Sequence, residues 1–235
     1  MSKAKNLNEE IKIERKKLKG QPLSVKLAYI WEYYKLPIFS VLLLILLVVW
    51  VIATYRDNNY ETSLRIAIIN DDMPSWNMTD DVELDYITAA FPSYLGIDQN
   101  TKRVIVEPSY ILDEGVDADL TYEDAVTLVA LMSSKSLDVV IGDEKAISYF
   151  TSDSDQIYYD LNEFLPEDMR DALSDYFVYH TYSDGRSVAI ALDLTESDLA
   201  RHYGFSMLKA PMMSVIANCQ NPDNAITFIR FAFGI

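Results

Sequence analysis

The sequence predicts an α/β protein, in which a single N-terminal transmembrane helix precedes one three-layer αβα domain with a largely parallel or mixed sheet. Two observations lead to this prediction. Residues 36–55 contain no charged side chain, and from about residue 62 onward β-branched runs alternate with helix-like segments. Strands separated by helices are typical of βαβ units, which build parallel sheets covered by helices. A chain of 235 residues is long enough for one such domain and a membrane helix.

A membrane anchor is predicted at residues 36–55. An α-helix of about 20 residues measures roughly 30 Å, which is the thickness of the hydrocarbon core of a bilayer. A cleaved signal peptide would have a shorter apolar core followed by a small-residue cleavage motif, and this segment has neither property. We therefore expect the segment to be retained. Aromatic residues, which favour the membrane–water interface, lie near its two ends: Trp31, Tyr33, Tyr34, Trp50 and Tyr55.

The charge distribution predicts the orientation of this helix. Residues 1–36 have a net charge of +5 and the remaining residues have −21, which together give the −16 of the whole chain. Cytoplasmic flanks of membrane helices are enriched in Lys and Arg, so we expect the basic segment 1–35 in the cytoplasm and the large domain outside. Apolar residues recur at helical spacing between residues 23 and 34. This stretch either forms a juxtamembrane helix on the inner membrane surface, turning into the bilayer at Pro37, or extends the spanning helix.

The acidity of the outer part excludes several kinds of partner. Nucleic acid and anionic lipid would both be repelled by a net charge of −21, whereas cations and basic peptides would not be. The single cysteine, Cys219, cannot form an internal disulfide. Exported domains without disulfides are common in bacteria, so we expect a bacterial cell-membrane protein whose C-terminal domain lies outside the membrane.

The outer domain of residues 62–235 follows a polar linker at residues 56–61, and its strands are predicted from runs of β-branched residues. These runs lie at residues 64–70, 102–108, 137–141, 187–193 and 210–218. The helices between them are predicted from their start signals. The first runs from about residue 81 to 94, with acidic residues near the positive end of its dipole.

The second of these helices begins at Thr121 with the sequence TYED, which nearly matches a capping box. Three apolar residues, Val126, Val129 and Ala130, share one of its faces.

Two further helices are predicted from prolines near their first turns. Pro166 suits the start of a helix that we expect to run to about Tyr179, and the turn at residues 183–186 follows it. The final helix is capped by the residues Asn221-Pro222-Asp223.

A candidate binding site follows the strand at residues 137–141. This strand ends at Gly142-Asp143, and a helix-like segment begins at once. In open α/β sheets, ligands bind outside the carboxyl ends of strands. Two interpretations remain open: Asp143 either caps the next helix as part of a plain turn, or faces a ligand or partner. Asp71 and Asp72, which follow the first strand, are further candidates.

Tyr158 and Tyr159 are also ligand or partner candidates, because tyrosine rings stack on sugars and peptides. Packing inside the domain is the alternative role for these rings.

The sequence contains no motif that predicts catalysis. His180 and His202 lie far apart in the chain, the segment GFSML at residues 204–208 lacks the second glycine of a nucleophile elbow, and no phosphate-binding loop is present. The acidic runs at 113–124 and 153–160 lack the glycine that an EF-hand loop needs for its turn. We therefore expect a non-catalytic protein with no cofactor and no metal.

Four segments occur in an order that resembles a known family. They are LDVVIGDEKAISYF at 137–150, YYDLNEFLPEDM at 158–169, DGRSVAIALD at 184–193 and NPDNAITFIRFAF at 221–233. Together they resemble the type 2 extracellular solute-binding proteins that serve bacterial ABC transporters. The family has two lobes, but residues 194–211 stand where it has most of the second lobe, so the resemblance implies one lobe of a periplasmic-binding protein. The spanning helix replaces the lipid-modified cysteine that is common in this family.

These observations lead to two expectations for function. The first is a membrane-anchored extracytoplasmic binding or sensing domain related to solute-binding proteins. The alternative is an interaction or assembly subunit of a cell-envelope or transporter complex that binds no small molecule. In both cases the protein contacts the membrane through residues 36–55, and no nucleic acid is expected as a partner.

Overall fold

The computed structural model describes residues 20–58, 60–71, 86–113, 115, 118–152, 156–205 and 208–235. The chain divides into two compact units, Met1–Asn59 and Tyr60–Ile235. The predicted site residue Asp72 and the first residues of the helix predicted at 81–94 lie outside the described part of the chain.

The described residues of the first unit form a long helix, α1, Leu23–Asn58, which passes through Pro37 without a break. Its segment Lys35–Tyr55 is long and apolar enough to cross a membrane, with a mean hydropathy of 3.0, and none of it is buried inside the protein. Residues 23–34 belong to the same helix, so this stretch extends the apolar helix, which is the second of the two alternatives from the sequence. Because α1 continues to Asn58, the first half of the predicted linker at 56–61 is helical.

The second unit is built on one mixed sheet, which confirms the α/β class. The described residues form six strands in the spatial order β2-β1-β3-β6-β5-β4. β1 pairs in parallel with β2 and β3, whereas the pairs β3–β6, β6–β5 and β5–β4 are antiparallel. The strand bounds are β1, Glu61–Ile69; β2, Lys102–Tyr110; β3, Val139–Gly142; β4, Phe177–Thr181; β5, Ser187–Asp193; and β6, Met212–Val215.

Helices flank the sheet and connect its strands. A short π-helix, Tyr86–Ala90, leads into α2, and a 3₁₀ turn, Ser174–Tyr176, precedes β4. Among the described residues of this unit, the helices are α2, Phe91–Leu95; α3, Ala118–Ser133; α4, Glu144–Tyr149; α5, Leu161–Phe164; α6, Glu167–Leu173; α7, Asp198–Tyr203; and α8, Pro222–Phe233.

Two buried clusters lie on opposite faces of the sheet, because successive side chains of a strand point to opposite sides. Ile66 and Ile68 of β1 pack on the face that also receives α2, α5, α6, α7 and α8; we call it the α8 face. Ala67 and Ile69 pack on the other face with α3 and α4; we call it the α3 face. The sheet therefore has apolar contacts on both sides, which explains its nearly continuous apolar strands.

The helix predicted to run from Pro166 to about Tyr179 is wrong in its second half. α6 ends at Leu173, and the chain becomes strand β4 at Phe177. Phe177 pairs with Leu192 of β5, and a turn containing Gly185, whose φ is +88°, joins the two strands. Aromatic and β-branched residues form strands readily where a neighbouring strand is available. The helix start signal at Pro166 carries no information about this pairing, which joins β4 to β5 across a short turn.

The capping box predicted at Thr121 is also wrong. α3 begins three residues earlier, at Ala118, and Thr121 is a buried residue inside the helix. The first turn of α3 instead contains Asp119, whose negative carboxylate interacts favourably with the positive end of the helix dipole.

α8 is attached to the sheet by polar side chains. The buried Asp138, which precedes β3, accepts hydrogen bonds from the backbone N–H of Arg65 at 2.8 Å and from that of Asn221 at 3.1 Å. Asn224 donates from Nδ2 to the carbonyl of Ser63 at 2.7 Å. The side chain of Asn221 makes no capping bond and instead donates to the Asp138 carboxylate, so the predicted cap of the final helix is wrong in its mechanism.

Candidate functional site

The residue that follows β3 is an N-cap. Asp143 has the extended backbone of a capping residue, with φ −82° and ψ 179°, and its Oδ1 accepts a hydrogen bond from the backbone N–H of Ala146 at 2.9 Å. Asp143 therefore caps the helix after the strand, as in the first of the two interpretations from the sequence. Capping fixes the direction in which α4 leaves the sheet, because it satisfies one of the free N–H groups of the first turn.

Asn70 joins the carboxyl ends of three strands. It lies directly after β1 in the left-handed conformation, with φ +61°, which asparagine adopts more readily than most residues. Its Nδ2 donates to Asp143 Oδ1 at 3.0 Å, and its Oδ1 accepts from the backbone N–H of Leu112 at 2.7 Å. Its own backbone N–H donates to the carbonyl of Tyr110 at 2.8 Å. The sequence did not single out Asn70, although an asparagine directly after a β-branched run is a signal for such a turn.

Gly142 is required for close packing rather than for a left-handed backbone. A Cβ atom at this position would lie 2.7 Å from the Cβ of Ala146 and 3.4 Å from the carbonyl oxygen of Ile69. The φ of Gly142 is not positive. The space that glycine leaves free is therefore occupied by the first turn of α4 and by the end of β1.

The ends of β1 and β3 form a topological switch point. After β1, the residues Ile87 and Phe91 pack on the α8 face of the sheet. After β3, Ala146 and Ile147 pack on the α3 face. The connections that leave these two adjacent parallel strands therefore go to opposite faces, and ligands of open α/β sheets bind at such a point.

A cleft of about 290 Å³ opens beside Asp143. On the β6 side it contains Met212, which pairs with Gly142 across the sheet. The volume is at the small end of ligand pockets in proteins. The full lining is Asp143, Glu144, Lys145, Leu208, Lys209, Ala210 and Met212. The segment from Leu208 to Met212, which joins α7 to β6, contributes half of the cleft and was not predicted as part of a site.

The cleft contains charges of both signs. Lys145 donates from Nζ to Asp113 Oδ2 at 3.0 Å. This hydrogen bond lowers the pKa of the Asp113 carboxyl and raises the pKa of the Lys145 ammonium, so both groups are charged at neutral pH. Glu144 and Lys209 are solvent-exposed on the two sides of the cleft. The lining can therefore hold a ligand by ion pairs and hydrogen bonds.

The remaining candidates from the sequence lie elsewhere or deeper. Asp71 follows Asn70 and is buried. Tyr158 is also buried, and its hydroxyl donates to the carbonyl of Ile147 at 3.2 Å; burial raises the pKa of this phenol. Tyr159 stacks on Phe164 with ring centroids 4.3 Å apart. The structure thus brings Gly142 and Asp143 next to the end of β1, but neither tyrosine lines the cleft.

A second surface is the outer side of α3. The residues that the sequence places on one helical face, Val126, Val129 and Ala130, point into solvent, with Val126 51% and Val129 49% exposed. Tyr122, one turn before Val126, is 71% exposed. The side that packs on the sheet contains Ala125, Leu128 and Met132 instead. α3 is therefore apolar on its buried side and on its solvent side.

In the described part of the chain, no group of three or more His, Cys, Asp or Glu side chains could hold a metal ion. Comparison of the chain with protein-family models, with curated proteins and with solved structures finds no match. Any functional conclusion therefore depends on the geometry described above.

Proposed function

We propose that this protein is a membrane-anchored, extracytoplasmic binding or sensing module, and that its ligand contacts the cleft beside Asp143. The observation that supports this proposal most directly is the position of the cleft. It opens between the carboxyl end of β3 and the start of β6, beside the switch point that β1 and β3 form, and open α/β sheets bind their ligands near such points. The ionic lining suits a small polar ligand, such as one that carries both an ammonium and a carboxylate group. Its role is binding rather than catalysis.

The anchor in this proposal is α1, oriented with its basic flank in the cytoplasm. Its apolar segment Lys35–Tyr55 is long enough to span a bilayer, and the net charge of +5 in residues 1–36 supports a cytoplasmic N-terminus. Protease added to intact cells should remove the acidic domain after about residue 60 and leave the N-terminal flank protected. Full protection of the acidic domain in sealed cells, with cleavage only after lysis, would overturn this orientation.

The fold within this proposal is one three-layer lobe of a solute-binding protein. Helices that pack on both faces of the mixed sheet agree with that architecture, and so does the resemblance of four segments between residues 137 and 233. Closure of two lobes on a ligand is not part of the proposal, because only residues 194–211 separate β5 from β6. The ligand would instead bind at the exposed ends of the strands.

The proposal is tested by thermal unfolding of the purified protein with millimolar amino acids, short peptides and oligosaccharides as probes. Ala210 is exposed and lines the cleft, so Ala210→Trp should fill the cleft without disturbing the core. A probe that raises the unfolding temperature of the wild type should fail to do so with Ala210→Trp. The matched control is Ala172→Trp on the exposed side of α6, which should respond like the wild type. No response to any probe, or equal responses in all three proteins, would argue against the cleft as a ligand site.

A second candidate function is an interaction or assembly subunit that binds no small molecule. The exposed apolar side of α3 favours this candidate, because exposed apolar patches on soluble domains commonly mark contacts with another protein. The two candidate functions depend on different surfaces. Ala210→Trp should impair only ligand binding in the cleft, whereas a charged residue at Val126 should impair only binding of a protein partner to α3.

A further inference from the structure

We propose that the outer side of α3 pairs with the same surface of a second copy of this chain, with the two helices antiparallel. The surface, called here the α3 stripe, consists of Asp119, Tyr122, Val126, Val129, Ala130 and Ser133. This inference deepens the second candidate function by naming the partner, and it does not depend on the cleft.

The spacing of the stripe suits helix–helix packing. Tyr122, Val126, Val129 and Ser133 follow one another at intervals of three or four residues, so they form one continuous ridge along the helix. Ala130 and Ser133 are small, which allows a second helix to approach this end of the stripe closely. All the members of the stripe are solvent-exposed.

The charges at the two ends of α3 select a second copy in antiparallel orientation. Asp119 lies in the first turn, and Lys135 follows the last turn; both side chains are exposed. The midpoint between Asp119 and Lys135 in the sequence is position 127. The midpoint between Val126 and Val129 lies less than one residue from it, so the charged pair and the apolar pair share one centre. An antiparallel pair centred on the two valines therefore places Asp119 of each copy at the same level along the helix axis as Lys135 of the other. One arrangement satisfies both the apolar contact and the ion pairs.

The acidity of the domain does not prevent this pairing. Charges on solvent-exposed surfaces are largely screened beyond about 8 Å at physiological ionic strength, so the charges along the seam matter most. Each copy provides one acid within the stripe, Asp119, and one base two residues after α3, Lys135, and the exposed Glu123 lies at the edge of the stripe. A strongly basic foreign partner would match Asp119 but would repel Lys135.

Membrane anchoring determines where the pair forms. A single helix–helix contact covers less than the roughly 800 Å² per partner of a standard stable interface, so the pair is weak in dilute solution. Two copies held in one membrane meet at a much higher effective concentration. We therefore expect dimers of the full chain in membranes.

Disulfide cross-linking of the full chain in isolated membranes tests the orientation. Two differently tagged copies are expressed together, one with Tyr122→Cys and the other with Ser133→Cys. Antiparallel pairing should join position 122 of one copy to position 133 of the other in clear excess over the 122–122 and 133–133 products. The unsubstituted chain, which retains Cys219, and the variant Ala172→Cys on the exposed side of α6 are the controls, and neither should cross-link. Equal yields of all products, or none, would overturn the proposal.

A charge exchange tests the seam independently. Lys135→Asp places two acids at each end of the pair, and Asp119→Lys places two bases there; each should lower the 122–133 yield by about fivefold. The double variant Asp119→Lys/Lys135→Asp restores opposite charges and should restore the yield. Aspartate tolerates the left-handed backbone at position 135, whose φ is +58°, so the exchange leaves the fold intact. Failure of the double variant to recover would contradict self-pairing. Cross-linking of position 122 to a different protein would also contradict it, while leaving the second candidate function in place.

Discussion

Gly142 acts through the atoms that surround it. The first turn of α4 lies against the end of β3, and the Cβ of Ala146 occupies the place where a side chain at position 142 would begin. Asp143 then caps the same turn and binds Asn70. These contacts give the strand-to-helix turn a structural role of its own, and Asp143 also lines one side of the cleft together with Glu144 and Lys145.

Gly142→Ala should destabilise the domain by about 1–3 kcal/mol, since the added methyl group forces β3 and α4 apart. Ala146→Gly removes the methyl group that an alanine at position 142 would contact, and it lowers stability by about 1 kcal/mol because glycine is a poor helix former. The double variant should be more stable than the sum of the two single effects implies. Urea denaturation followed by circular dichroism measures all three variants. Strict additivity would show that the predicted steric conflict does not exist.

Asp143→Ala should lower the free energy of unfolding by at least the roughly 0.5–2 kcal/mol of a lost N-cap, because the bond from Asn70 is lost as well. Asp143→Asn is the matched control, since both hydrogen bonds end on Oδ1 and asparagine retains that oxygen. Asparagine caps helices about as well as aspartate, so its melting temperature should stay near that of the wild type. If the carboxylate also faces a ligand, Asp143→Asn should lose the stabilisation by that ligand. Retention of the full ligand response would assign Asp143 to the turn alone.

Cys219 provides a prediction for pH. Burial, together with the nearby Asp138 carboxylate, raises the pKa of its thiol to about 11. The thiolate is the reactive form, so at pH 9 the folded protein should react with iodoacetamide more than tenfold more slowly than the urea-unfolded chain. Because the pKa of the thiol is higher in the folded state, the folded state favours the protonated thiol. The resulting contribution to the free energy of unfolding is fully present below about pH 8 and is lost as the pH rises towards 11. Equal rates in the folded and unfolded chains would contradict the burial of this thiol.

Among the elements, strands were predicted well from sequence when their residues were β-branched and buried. The runs at 64–70 and 187–193 became strands, because burial on both faces imposes nearly continuous apolar residues. The run at 102–108 became β2 at one edge of the sheet, where its β-branched residues are only partly buried. β4 was missed because Phe177 to Thr181 lies at the sheet edge, and its strand conformation depends on pairing with β5. No local signal contains the information that β6, β5 and β4 run antiparallel to their neighbours.

The candidate site was predicted only in part, because some of its features are local in the sequence and others depend on the order of the strands. The cap at Asp143 is a local feature, and its position after an apolar strand indicated it correctly. The contact with Asn70 joins residues 73 positions apart, and the segment from Leu208 to Met212 reaches the cleft through the β6–β3 pairing. Such contacts depend on strand order, which the sequence does not state.

The polar contacts that attach α8 to the sheet provide a prediction about this helix. Asp138→Ala removes the acceptor of two backbone N–H groups, those of Arg65 and Asn221, and leaves them without a partner beside the core. Each orphaned buried donor costs about 1–3 kcal/mol, so we expect a loss of about 2–5 kcal/mol in the free energy of unfolding. Asp175→Ala, on the exposed 3₁₀ turn before β4, should change it by less than about 0.5 kcal/mol. Chemical denaturation of both variants provides the comparison. Similar losses in both would show that Asp138 does not attach α8.

At the scale of the whole molecule, the unit Tyr60–Ile235 has its own sheet and its own two buried clusters. We therefore expect a fragment that begins at Tyr60 to be soluble, to unfold cooperatively and to be insensitive to reductant, since it contains one cysteine. Weak pairing through the α3 stripe should leave the fragment largely monomeric at micromolar concentrations. Size-exclusion chromatography and thermal melts with and without dithiothreitol measure these properties. An insoluble fragment would mean that its core needs a part of the chain that was removed.

The bond between Asn224 and Ser63 has a consequence for the order of events during synthesis. The two residues are 161 positions apart, so α8 reaches β1 only after almost the whole domain has left the ribosome. Contacts of such high sequence separation slow folding, because a long loop must close before they form. β1, which lies between β2 and β3 in the sheet, would then emerge early, and one of its apolar faces would stay uncovered until α8 is synthesised. Chaperone binding to nascent chains should therefore be strongest between the emergence of β1 and that of α8.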